Sequence, residues 1–128
     1  MPGRCSFDYA ILRVVPRVDR EEFINAGVLL YCRSLGFLEA RSALDTARLK
    51  ALAPELDPAV VQEHLATFAR IAAGGPQAGP IGRLSQAERF HWLVSPRSTI
   101  LQTSPAHSGL STSPSEAIER LLERMVRG

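Results

Sequence analysis

The chain has 128 residues, 45% hydrophobic and 22% charged, with a formal net charge of +2. That is the size and balance of one globular domain able to close a core without disulfides or metal, and it excludes disorder over most of the length. No apolar run approaches the roughly 20 residues needed to cross a bilayer, and Met1 to Asp8 lack the apolar block of a secretory signal, so the expected setting is cytoplasmic, with no membrane partner.

Residues 7–15, FDYAILRVV, have the apolar and β-branched content of a strand, which Pro16 ends because it has no amide to donate. A polar connection over 18–25 leads to a second strand at 27–33, whose run VLLYC suits burial on both faces. Ser34, Leu35 and Gly36 turn the chain into a third strand at 37–41. Asp45 is an N-cap for a short helix ended by Pro54, and Asp57 with Pro58 opens a longer helix to about Ala73. There Val61, Leu65, Phe68 and Ala72 share one face, while Glu63 and Arg70 stay in water.

The glycines and prolines of 74–82, GGPQAGPIG, read as a flexible loop without regular structure. Ser85 and Glu88 form a capping box for a helix carrying Ala87, Phe90, Leu93 and Val94 inward, which stops before Pro96. A fourth strand is expected at 99–102 and a Ser/Thr/Pro/Gly loop at 103–112. Ser113 and Glu116 cap a terminal helix with an apolar stripe of Ile118, Leu121, Leu122, Met125 and Val126. Strands early and helices late indicate an α+β class: one domain, a mainly antiparallel sheet of about four strands, and helices packed on one face.

Cys5 and Cys32 belong to no CxxC pair or Cys/His array, so both read as free thiols, with Cys32 as a small buried hydrophobe. Neither His91 nor His107 has a partner at metal-like spacing, so no metal and no cofactor is expected. Of the fifteen basic residues only Lys50 is not Arg. Arg suits bidentate contact with carboxylate or phosphate, although a chain rich in Ala, Gly and Pro also acquires Arg from GC-rich coding.

The densest set of polar and aromatic groups lies between Arg89 and Gly109. Arg89, Trp92, Arg97, Ser98, Thr99, Gln102, Ser104, His107 and Ser108 are the candidate ligand-binding residues, because their donors flank one short strand where an anion could be held. Arg89 and Arg97 with Trp92 would also suit a stacked nucleobase. Phe90 is assigned to the core, and His64 to the surface. Arg17, Glu22 and Asn25 are site or structural partners, Glu22 being placed to pair with Arg97 if the first and fourth strands are neighbours. No residue is assigned as catalytic: adjacent His107 and Ser108 do not give the geometry of a base and nucleophile, and no third orienting carboxylate is near.

The blocks YAILRVVPRVDREEFINAGVLLYCR, Tyr9 to Arg33, and ERFHWLVSPRSTILQTSPAHSGL, Glu88 to Leu110, resemble a bacterial family of small proteins classed as a domain of unknown function. They span a little over a third of the chain. The resemblance implies a genetic association with kinase-like proteins, and so a partner role without a defined chemistry. The leading expectation is therefore a non-enzymatic accessory module that binds a protein partner of kinase-like type. The alternative is recognition of a phosphate-bearing ligand, a nucleotide or single-stranded nucleic acid, through residues 89–108.

Overall fold

Five strands and four α-helices appear in the computed structural model, which describes residues 4–97 and 99–127. Strands β1 (Cys5–Val14), β2 (Ile24–Cys32) and β3 (Phe37–Ser42) form an antiparallel meander. Helices α1 (Thr46–Leu52), α2 (Pro58–Ala73) and α3 (Gln86–Val94) follow, then β4 (Leu101–Thr103), β5 (His107–Ser111) and α4 (Pro114–Leu122), which continues as a π-helical turn over Glu123–Arg127. The sheet order is β3-β2-β1-β4, with β5 also antiparallel to β1. The α+β class read from the sequence is the one observed.

The side-chain period of two sorts β1 onto two layers. Phe7, Tyr9 and Ile11 face α4, joining Val28, Leu30, Cys32, Ile118, Leu122 and Val126. Leu12 and Val14 face the other way, into a larger core with Leu49 of α1, Leu65 and Phe68 of α2, and Phe90 and Leu93 of α3. Helices α1 to α3 thus cover one face as expected, and α4 adds a second layer on the other. The reason lies in β2, whose run is apolar at every position because each face needs a cover. Burying each of Ile118, Leu122 and Val126 is worth roughly 1.5–3 kcal/mol, enough to hold a helix this short.

A β-bulge divides the β1/β2 pair. Leu12 lies opposite Gly27 and Arg13 opposite Asn25, leaving Ala26 as the extra residue. The bulge inverts the facing of β2, so that Ala26 enters the α2/α3 core although Val28 belongs to the α4 layer.

The helix starts follow the local capping chemistry. The Asp45 and Asp57 carboxylates accept from Arg48 N (3.1 Å) and Ala59 N (2.9 Å), and Ser85 with Glu88 makes the reciprocal box. Ser113 accepts from Glu116 N at 3.3 Å. Cys5 and Cys32 are free thiols, and Cys32 is buried.

Three local expectations are corrected. Pro76–Arg83 is not an irregular loop but a pair of 3-10 turns joined at Gly79 (φ 69°), through which Ala78 and Ile81 pack on the core. The stretch 103–112 is not all loop, because His107–Ser111 forms β5 on the free edge of β1. Gly109 permits this: a Cβ there would stand 2.5 Å from the Phe7 ring. In α3 Ala87 is exposed, and Arg89 is buried instead.

Candidate functional site

The residues expected to converge between Arg89 and Ser108 are distributed over several places. Arg89 is turned inward onto the backbone. Only 8% exposed, it donates from Nη1 to Leu84 O (2.5 Å) and from Nη2 to Ala72 O (3.4 Å), tying the end of α2 to the start of α3. Gly74, at φ 77°, makes room, since a Cβ there would lie 2.9 Å from the Arg89 Cζ. Ser104 is structural too. Its Oγ accepts from Ile11 N at 2.9 Å, serving the β1 amide between the two strands that share this edge. Ser98 lies outside the described residues.

Trp92, Arg97 and Thr99 do meet, beside His64 and Phe68, around a cleft of about 180 Å³. Arg97 stacks on Trp92 at 4.6 Å and lies over Phe68 at 5.3 Å, and its guanidinium donates to Trp92 O and Ser95 O. Partial burial without a carboxylate lowers the basicity of Arg97, and the two ring faces offset part of that cost. The cleft is smaller than the roughly 300 Å³ at which small-molecule pockets begin. Arg97 therefore occupies its own site. Strands β1 and β4 are neighbours, yet Arg97 does not pair with Glu22. The Glu22 carboxylate takes Arg20 Nε at 2.7 Å, Arg17 pairs with Glu55 at 2.5 Å, and Asn25 donates to Met125 O at 2.9 Å.

His107 and Ser108 point to opposite sides of β5. The His107 ring lies 5.4 Å from that of Tyr9 on the α4 side, while Ser108 Oγ donates to Asp8 Oδ1 at 2.8 Å on the other. That separation excludes a direct base and nucleophile pair. Gln102 lies opposite Arg13 on β4, and Asn25 lies opposite the same residue on β2.

A wider concavity lies elsewhere, on ground that the sequence reading passed over. Helices α1 to α3 cover only part of their sheet face, where β1 presents Leu12 and Val14. Further back along β1 the same face carries Ser6 and Asp8, which do not recruit a helix. The result is an open groove of about 1070 Å³ over the bare sheet, lined by Arg4, Ser6, Asp8, Arg33, Leu35 and Ala87 among others. Gln86 Nε2 donates to Gly36 O at 2.8 Å, fixing α3 to the β2–β3 turn as one wall. Leu110, opposite Ser6 on β5, projects onto the same face. Leu35 is 58% exposed and Leu110 62%. Among the described residues, neither Arg4 nor Arg33 forms an ion pair, whereas Asp8 is held by Ser108. The available signal was the alternation Ser6, Asp8 against Phe7, Tyr9, which marks one polar side on a strand otherwise apolar.

Among the described residues no group of three or more His, Cys, Asp or Glu side chains is placed to hold a metal ion, and no helix is long and apolar enough to cross a membrane. Fold and surface together define a small α+β domain with one partly uncovered sheet face. The chain belongs to the family described as "Protein of unknown function (DUF3037)", whose model matches residues 9–126. Comparison with curated proteins and with solved structures returns no match.

Proposed function

We propose that this protein is a non-enzymatic partner-binding module and that the bare sheet face is its docking surface. The observation that carries the reading is the juxtaposition of two outward leucines, Leu35 in the β2–β3 turn and Leu110 of β5, with Arg4 and Arg33 around one bare sheet face, neither arginine forming an ion pair among the described residues. A large exposed apolar side chain beside an uncommitted guanidinium is the composition of an interface, since both gain when a complementary surface excludes water. The matching surface carries carboxylates for the arginines and apolar side chains for the leucines. The partner class is the kinase-like protein implied by the resemblance of the Tyr9–Arg33 and Glu88–Leu110 blocks. The alternative, a phosphate-bearing ligand held by residues 89–108, is the weaker reading, because Arg89 and Ser104 are buried in structural bonds and His107 and Gln102 lie on the far side of the sheet from Arg97.

The test is co-purification of the tagged protein from its native cells, beside an Arg33→Glu, Leu110→Asp double variant. Both substitutions are on the surface and should leave thermal unfolding within about 1 kcal/mol of the parent. A kinase-like protein retained by the parent and lost from the folded variant supports the proposal. Recovery of the same associated proteins with both forms, or of the parent alone, overturns it.

A further inference from the structure

On the α4 side of the sheet, at the opposite end of β1 from the bare groove, Arg13 stands between Asn25 of β2 and Gln102 of β4. Its guanidinium lies 4.2 Å from the ring centroid of Phe23, itself 44% exposed. The Arg13 Nε is buried with no hydrogen-bond partner, and the same holds for Asn25 Oδ1 on its cross-strand neighbour. Among the described residues Arg13 makes no ion pair either. Buried polar atoms without partners are few in a folded protein; Arg89 Nε is another among the described residues, and such atoms mark places where the chain does not satisfy its own polar groups.

The cavity is present. A recess of about 490 Å³ is lined by Arg13, Val15, Glu21, Phe23, Gln102 and Thr103, within the size range of small-ligand sites. Glu21, which lines it, has φ 55°, in the left-handed region where a residue with a Cβ is strained. Such strain concentrates at binding sites. Glu21 lies in the lining without forming an ion pair to Arg13.

We infer that this recess is a binding site for the carboxylate group of a small ligand, with Arg13 as its anchor. A guanidinium is planar and carries N–H groups in a fork that matches a planar carboxylate in a bidentate pair, and the Phe23 ring beside it favours the charged group. Gln102 supplies an amide beside it, whose Nε2 donates to Thr99 O at 3.0 Å. The Glu21 carboxylate sets the charge limit. One guanidinium and one carboxylate in the same lining accommodate a monoanion and disfavour the dianion of phosphate.

The test is a titration of the 15N-labelled protein, following the Arg13 Nε–H resonance while sodium acetate or inorganic phosphate is added at constant ionic strength. Acetate should shift that resonance saturably, and phosphate, at a pH where it is the dianion, should not. Arg13→Gln should weaken acetate binding tenfold or more, the loss of charge-assisted hydrogen bonds. Phe23→Ala removes only an exposed ring, so it keeps the test open if Arg13→Gln fails to fold; it should weaken binding severalfold through loss of the stack. Glu21→Gln should admit phosphate. Shifts that track ionic strength without saturating, equal binding of phosphate and acetate by the parent protein, or full acetate binding in folded Arg13→Gln or Phe23→Ala overturn the inference.

Discussion

Replacing Arg89 by Met should be among the most damaging changes in this chain, although the residue sits in the segment richest in apparent ligand donors. Methionine keeps much of the stem's volume, so the loss falls on the guanidinium. Its bonds to Leu84 O and Ala72 O are removed, and each hydrogen bond from a charged group contributes about 1.5–3 kcal/mol. The 3.4 Å bond is the weaker, and water can reach part of the opened site, so the expected total is about 3–4 kcal/mol. For a domain of this length that lowers the melting temperature by roughly 10–15 °C. Urea unfolding followed by circular dichroism measures it directly, with an unchanged m-value showing that the native state stays compact. A loss below about 1 kcal/mol would show that the α2–α3 junction does not depend on Arg89 and would return this residue to the surface.

Ser104→Ala should cost about 1–3 kcal/mol in the same assay by stranding the Ile11 amide; an unchanged midpoint refutes the role assigned to its hydroxyl. Arg97→Ala should cost only about 1 kcal/mol while altering Trp92 fluorescence, and Glu22→Gln should not reproduce it, because Glu22 pairs with Arg20; equal, large losses in both would restore an Arg97–Glu22 ion pair. The Glu88 carboxyl is held below its ordinary value of 4.5 by accepting from the Ser85 backbone amide and hydroxyl side of the capping box. Its folded value being depressed, the stability it brings is present above the ordinary value and lost as pH falls through the depressed one. Glu88→Gln should therefore flatten the fall of the urea midpoint in that acid window, and parallel curves for the two proteins would contradict the assignment.

Local chemistry was legible in the sequence. Asp45, Asp57, Ser85 with Glu88, and Ser113 with Glu116 mark helix starts because a cap needs only residues within three positions of one another. Strand β5 was not legible, since HSGLS carries little apolar patterning and forms because β1 offers an unpaired edge and Phe7 needs the space over Gly109. The 3-10 turns at Pro76–Arg83 were hidden for a similar reason: glycine and proline remove propensity, and packing of Ala78 and Ile81 restores order. Site residues were harder still. Donors such as Arg89 and Ser104 look alike in sequence whether they serve a ligand or a distant backbone carbonyl or amide. Asn25 and Gln102 were singled out, but Arg13, which lies between them, was hidden in an apolar strand.

Hydrogen–deuterium exchange on the protein with and without its co-purified partner tests the docking surface most directly. The account predicts slowed exchange at the backbone amides around the bare sheet face, in residues 4–8, 33–36 and 107–111, with α2 and α4 unchanged. Protection confined to α3 and the residues around Arg97, with the bare face exchanging as in the free protein, would contradict it.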